Sequence, residues 1–358
     1  MKILDYYIIK KFLGTFFYAI FLLITIVIIF DVSENIDEFI EKNAPLDEII
    51  FSYYLNFIPY FINLFSYLFT FIAVIFFTSQ MASNSEIISI LSSGISFYRL
   101  LRPYIISALI LAIMSFYLSN FLIPKTNIKR RVFKDKYIEG LSEEMDKNIH
   151  LQIYPGLFVY LEKFNSSTND GYKFTLENIV NNSLKYKLTA DKIQWDSTEN
   201  KWILHNYFIR TIDSVQENIT SGIRMDTVIN LSPSDLFIQK EDFEEMNFWQ
   251  LNEHIRKNHL KGSKEVKFYE MEKQKRIASP FATIVLTLIG MSLSSRKIRG
   301  GIGMHLGLGI TFTFTFILFM KISSVFSTVG NLSPVLAAWI PNIIFGIIGI
   351  ILIRLAPK

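Results

Sequence analysis

The chain has 358 residues, 51% of them hydrophobic and 33 of them Phe, with a mean hydropathy of +0.32, too apolar for a typical soluble protein of this length. Its net charge of +4 is modest and gives no reason to expect a nucleic-acid partner. Cysteine is absent, which excludes disulfides, thiolate metal sites and cysteine nucleophiles but leaves the compartment open.

Six apolar segments follow along the chain, at Phe12–Phe30, Phe51–Thr78, Leu100–Pro124, Ile277–Ser294, Gly303–Ser327 and Val335–Ile353. Each holds roughly 17 to 28 residues, enough to cross a hydrocarbon core of about 30 Å. The first follows Lys2, Lys10 and Lys11, as a signal peptide would. No small-residue cleavage site comes after it, only Asp31, Glu34 and Asp37, so a retained first helix is expected. The loop DVSENIDEFIEKNAPLDEII is acidic, and its Ile36, Phe39 and Ile40 suit a helix near the membrane surface. Pro59 predicts a kink or tilt in the long second span.

Between spans two and three, Ile87, Ile88, Leu91 and Ile95 recur at helical spacing. Ser83 or Ser85 can cap the start and Gly94 interrupts near the end, which gives a short amphipathic helix over about 82–98. Pattern alone leaves open whether it merely rests on the membrane. Directly after span three, Lys125, Lys129, Arg130, Arg131, Lys134 and Lys136 stand against Asp135. Such a cluster suits phosphate-bearing lipid head groups, and it equally suits the solvated face of a basic helix.

Residues from about His150 to Leu236 read as β-rich. Five stretches, LQIYPGLFVYLEKF, YKFTLENIV, SLKYKLTADKIQW, KWILHNYFIRTI and GIRMDTVINL, alternate or run apolar between polar clusters. Trp195 and Trp202 flank one cluster as a hairpin would place them, and the whole predicts a sandwich or jelly-roll-like module. Residues 241–276 return to helical character. In span five, Gly303 and Gly307 form a GxxxG pair with Gly309 beside it, which allows another helix to approach closely. Lys321 lies within that span, where a Lys normally faces a cavity or partner or else snorkels to the interface.

Short-loop charges set the expected orientation. A cytoplasmic N-terminus places Lys2, Lys10, Lys11, Arg99, Arg102, Arg296, Lys297, Arg299, Arg354 and Lys358 inside, and leaves only Lys42 in the outer short loops. Both termini are then cytoplasmic and the long insertion extracytoplasmic. The domains expected are 1–124, with three spans and the amphipathic helix; 125–265, the β module with flanking helices; and 266–358, the last three spans. No Walker A, Rossmann, HExxH or GxSxG pattern occurs, and the five His show no ligand spacing. Neither catalysis nor a bound metal or cofactor is expected of this chain, so any ATP hydrolysis belongs to a partner.

Several stretches together resemble the LptF/LptG (YjgP/YjgQ) permeases of the lipopolysaccharide export machine, over nearly the full length. They are NSEIISILSSGIS between spans two and three, RIASPFATIVLTLIGMSLS with RKIRGGIGMHLGLG, and the closing LSPVLAAWIPNIIFGIIGI. The opening LDYYIIKKFL leans slightly toward the G-like subunit. The resemblance implies a bacterial inner-membrane protein, six helices in a 3+3 arrangement around a periplasmic all-β jelly-roll-like domain. It implies one permease subunit of an ABC transporter, paired with a homologous permease, that extracts lipopolysaccharide and passes it to periplasmic jelly-roll bridge proteins. Two cytoplasmic ATPase subunits, using ATP and Mg, would dock on a coupling helix around Glu86, Ile87, Leu91 and Gly94, with Glu86 meeting a basic residue of the ATPase. Spans one and five would form lateral gates, bringing Gly303, Gly307, Gly309 and Lys321 close to the lipid path. Lys129, Arg130, Arg131 and Lys134 would meet lipid A phosphates. Span one departs from the family in lacking a basic residue at its outer end.

Other classes remain to be weighed. A mechanotransmitting ABC subunit would share the coupling helix but needs fewer spans. A secondary transporter would need acidic relays that the spans lack. A structural anchor would not explain the amphipathic helix.

Overall fold

The computed structural model describes residues 3–138, 145–165, 168–213, 216–236, 242–261, 266–296 and 301–356. Among these, helices α1 (Ile3–Glu41), α2 (Leu55–Ser83), α3 (Glu86–Ser92), α4 (Phe97–Tyr117) and α5 (Ile123–Tyr137) come first. Strands β1 (Met145–Tyr154), β2 (Leu157–Asn165), β3 (Asp170–Val180), β4 (Ser183–Asp196), β5 (Lys201–Ile212) and β6 (Glu217–Thr227) follow. The chain closes with α6 (Pro233–Leu236), α7 (Asp242–Glu245), α8 (Phe248–Lys261), α9 (Val266–Ser294), α10 (Gly301–Thr328) and α11 (Pro334–Leu355). Two compact units result, one of Met1–Ile138, Glu244–Trp249 and Lys267–Lys358, the other of Glu139–Phe243 and Gln250–Val266.

Six helices are long and apolar enough to cross a membrane: Ile3–Glu41, Glu48–Ser83, Phe97–Tyr137, Val266–Ser294, Gly303–Thr328 and Pro334–Leu355. The expected 3+3 arrangement around an inserted β domain is therefore present. The first three helices outrun the apolar segments. At 39 residues α1 spans about 58 Å at 1.5 Å per residue, against a core of about 30 Å. Residues 31–41, expected as part of an acidic, partly helical loop, continue α1 without a break, because neither Gly nor Pro interrupts them. The helix stops where Asn43 takes φ 50°. There Asn43 N donates to Ile40 O (3.1 Å) and Ala44 N to Phe39 O (2.9 Å), the pairing of a Schellman cap.

Two π-helical stretches, Glu48–Tyr54 and Leu118–Leu122, run directly into α2 and α5. Each lies within a few residues of a proline, Pro59 or Pro124, whose ring and missing N–H disturb the regular ladder. Asparagine side chains bond nearby carbonyls: Asn56 Nδ2 donates to Phe51 O and Ser52 O, and Asn120 Nδ2 to Phe116 O.

Packing in the membrane unit follows helical spacing. On α1, Asp5, Ile8, Phe12, Phe16, Ile20 and Ile24 form one buried stripe, and its apolar members meet Phe77 and Met81 of α2 and Leu100, Tyr104 and Leu111 of α4. A second cluster joins Phe71 and Ile75 of α2 to Leu286 and Ile289 of α9, Phe316 of α10 and Phe345 of α11, so α2 contributes to both halves. Hydrogen bonds between helices supplement this packing where apolar contact alone gives little drive. Asn63 of α2 donates to Ser119 and accepts from Ser115, Thr78 bonds Tyr104, and Asn342 of α11 donates to Ala278 O. Only 17% of the apolar window of α1 and 22% of that of α10 is buried, against 61% for α9. Helices α1 and α10 thus present broad apolar faces outward, to lipid or to another chain.

The β domain is one six-stranded antiparallel sheet in the order β1-β2-β3-β4-β5-β6. This is the all-β, jelly-roll-like insertion expected, its strands running as a meander. The stretch LQIYPGLFVYLEKF is two strands rather than one, turned at Pro155 and Gly156, with Gly156 at φ 85°. Between β3 and β4, Asn181 and Asn182 both have positive φ, as a type I′ hairpin turn requires. One face of the sheet buries Val159, Leu161, Phe164, Phe174, Leu188, Ile193, Trp202 and Leu204. Trp195 and Trp202 pair across β4 and β5 with ring centroids 5.0 Å apart, and Trp202 Nε1 donates to Leu231 O at 2.7 Å.

Candidate functional site

Chemistry-bearing residues of the membrane unit gather at the two ends of its bundle. At one end lies α3. A seven-residue helix has no stability of its own in water, so packing must hold it. Ile87 is buried, and Ile90 and Leu91 lie half-buried against the cluster formed by α1, α2 and α4. Ser85 at φ 62° turns the chain out of α2, and Gly94 at φ 85° turns it out of α3. Ser96 then caps α4 by accepting from Arg99 N. The opposite face of α3 is exposed, with Ile88, Ser89, Ser92 and Ser93 outward. Nearby Tyr98 on α4 is also exposed.

Glu86 is not simply a solvated charge on this helix. Tyr7 Oη of α1 donates to its Oε2 at 3.1 Å, and Asn84 Nδ2 to its Oε1 at 3.4 Å. A second tie is bidentate, from Arg99 Nη1 and Nη2 to Asp5 Oδ1 and Oδ2 at 2.7 and 2.8 Å. Together they fix α1, α3 and α4 to one another. Of the four residues expected at a coupling helix, Ile87 and Leu91 anchor it, Gly94 ends it, and Glu86 joins it to α1.

The basic helix α5 lies at the other end. Its six cations differ in their surroundings. Arg131 pairs with Glu245 at 2.7 Å, Arg130 lies over the Tyr60 ring at 5.2 Å, and Lys136 pairs with Glu48 at 3.2 Å. Lys134 is half-buried. Lys125 and Lys129 are exposed, and no carboxylate among the described residues pairs with them. The segment Glu244–Trp249 clasps this end. Besides Arg131–Glu245, Asn127 Nδ2 donates to Glu244, and Arg276 Nη1 of α9 donates to Met246 O at 2.7 Å. Arg276 is buried and also bonds Glu272. The C-terminal part of α1 is held by Asp31, which accepts from Tyr53 Oη (3.1 Å) and Tyr54 Oη (3.0 Å). Phe39 packs there against Tyr53 and Phe133.

On α10 the glycines divide. A Cβ on Gly309 would collide with Ile75 Cδ1, so this glycine makes the close approach to α2. A Cβ on Gly303 or Gly307 would meet nothing within 4 Å among the described residues, so none of the other described helices closes on that face. Lys321 is exposed on the same helix beside Leu318, Ile322 and Val325.

Sequence reasoning missed Asp5, Tyr7, Asp31, Glu244 and Glu245. Each meets its partner over a separation of 22 residues or more, for which no local pattern exists. The Glu272–Arg276 pair, at i,i+4 spacing on α9, was readable.

Six spans, an interrupting antiparallel sheet and charged residues collected at both ends of the bundle define a multi-pass membrane protein with an inserted β domain. No curated protein matches the chain. A family does, the lipopolysaccharide export system permease LptF/LptG, over residues 6–355. The chain belongs to this family and is a multi-pass inner-membrane permease of lipopolysaccharide export.

Proposed function

We propose that the chain is one permease subunit of an ABC transporter that extracts lipopolysaccharide from the inner membrane and passes it to a periplasmic bridge. Its termini and α3 face the cytoplasm, and the β domain lies in the periplasm. A homologous permease completes the membrane cavity, with the outward faces of α1 and α10 at the seam and Gly303, Gly307 and Gly309 on the gate helix. Two ATPase subunits dock on α3 and supply ATP hydrolysis with Mg; this chain is non-catalytic. Closure of the cavity drives lipid up toward the sheet.

The observation that carries this reading is the placement of α3. It is anchored by Ile87 and Leu91 at the end of the bundle with Ile88, Ser89 and Ser92 turned outward, as a docking element must be. Glu86 supplies the charge for a basic residue of the ATPase. On the far side, Lys125 and Lys129 meet lipid phosphates, with Arg130, Arg131 and Lys134 behind them, while Lys321 lines the lipid path.

Reconstitution of the chain with its permease partner and ATPase, followed by lipid release in the presence of ATP, tests the reading. Glu86→Gln keeps an acceptor for Tyr7 but removes the charge. It is expected to lower ATP-driven release at least tenfold without changing thermal stability. Full coupling after Glu86→Arg, or failure of the ATPase to copurify after mild detergent extraction, overturns the reading.

A further inference from the structure

A groove of about 480 Å³ opens between α1 and α2 at the α3 end of the bundle. Lys10, Lys11, Thr15 and Gln80 form its polar part, and Gly14 and Phe77 its apolar floor. Gly14 leaves the floor open, since a Cβ there would meet nothing within 4 Å. Lys11 Nζ stands 5.2 Å from the centroid of the Tyr7 ring. The nearby carboxylates are committed elsewhere: Asp5 is held bidentate by Arg99, and Glu86 accepts from Tyr7 and Asn84. Two lysines thus face the groove with no carboxylate among the described residues to neutralise them.

Their depth matters. The apolar run of α1 begins at Phe12, directly after Lys11, so both ammonium groups sit at the level of lipid head groups. Beyond them, Phe17 and Phe21 lie exposed along α1. A cationic groove beside an exposed apolar stretch of α1 matches an anionic lipid end to end. Basic pockets between membrane helices are a known means of holding such head groups.

We propose that this groove binds one anionic glycerophospholipid, its phosphate on Lys10 and Lys11 and its acyl chains along Phe17 and Phe21. Lipid there would cover part of the exposed face of α1. The inference is independent of what the transporter carries.

Native mass spectrometry of the full chain in detergent, titrated with phosphatidylglycerol or with phosphatidylcholine of the same acyl chains, tests it. At about fivefold per lysine, phosphatidylglycerol should be retained about 25-fold more tightly. Lys10→Gln with Lys11→Gln should reduce that preference to within about twofold. Gly14→Leu keeps both charges but fills the floor, and should weaken phosphatidylglycerol by about tenfold or more. Arg102→Gln, an exposed cation at the same end, should change nothing. Preference that survives the double substitution places the phosphate elsewhere and overturns the proposal. So does unchanged binding by Gly14→Leu. A photoactivatable phosphatidylglycerol on the unsubstituted chain gives a readout that needs no variant: labelling should concentrate on residues 10–21, and labelling confined elsewhere refutes the site.

Discussion

Ile87→Ala should release α3 while leaving the rest of the bundle folded. Ile87 is 1% exposed and packs with Phe12, Met81 and Leu100, whereas Ile90 and Leu91 are only half-buried. Truncating a fully buried Ile to Ala costs about 2–5 kcal/mol, and little inside a seven-residue helix can offset that. A loss of about 2–4 kcal/mol at α3 makes its amides exchange roughly 30- to 700-fold faster, up to the limit set by its opening. Hydrogen exchange read by mass spectrometry over residues 86–96, in detergent, measures this directly. Ile88→Ala is the control. Ile88 is 50% exposed and should change exchange by less than about threefold. The two variants should also separate in coupling, since Ile88 is on the outward face of α3, where an ATPase is proposed to dock, and Ile87 is the anchor. Unchanged exchange in Ile87→Ala, or equal effects of the two substitutions, would refute the claim that packing at Ile87 holds the helix.

Gly94→Ala places a Cβ at φ 85° and should lower stability by about 1–2 kcal/mol, read as a reduced unfolding temperature with no change in span packing. Arg131→Gln removes the charge that pairs with the largely buried Glu245 and should lower stability by about 1 kcal/mol. Lys125→Gln with Lys129→Gln should instead leave the unfolding temperature alone and reduce lipopolysaccharide release; the reverse pattern would show that roles were misassigned. Trp202→Phe removes the bond to Leu231 O and should cost about 1–2 kcal/mol, with faster proteolysis near residues 228–236 as the readout. Acid should weaken the β unit. Hydrogen bonds from Lys173 and Asn206 hold Asp191 below its ordinary value, those from Arg210 do the same for Glu217, and Lys257 for Glu253. Depressed folded values give stability that is complete above the unfolded values of about 4 and is lost as pH falls through the depressed ones. Thermal melts should therefore be flat from about pH 8 to 5 and fall below about pH 4, less steeply in high salt; a decline on raising the pH above 6 would contradict this.

Much of the architecture was written in the order of residues. Hydrophobicity adds along a chain, so six apolar runs and their interruption by Met145–Thr227 could be counted without knowing any contact. Local turn chemistry was read in the stop at Gly94 and the hairpin between Trp195 and Trp202, while the Asn181–Asn182 and Pro155–Gly156 turns were present but passed over. The continuation of α1 through Glu41 escaped because polar composition suggested a loop, although nothing there breaks a helix. Long-range pairing is a different kind of information. That Glu86 meets Tyr7 across 79 positions, Arg99 meets Asp5 across 94, and Asn127 meets Glu244 across 117 depends on which helices lie side by side. The glycines show the same division. Three equivalent residues on one span became a contact at Gly309 and open space at Gly303 and Gly307 only once α2 was packed against α10. By itself the sequence determined the spans, the insertion and where charge accumulates. The tertiary structure decided which cations are already paired and which face of α3 is outward, because burial and pairing belong to neighbours in space.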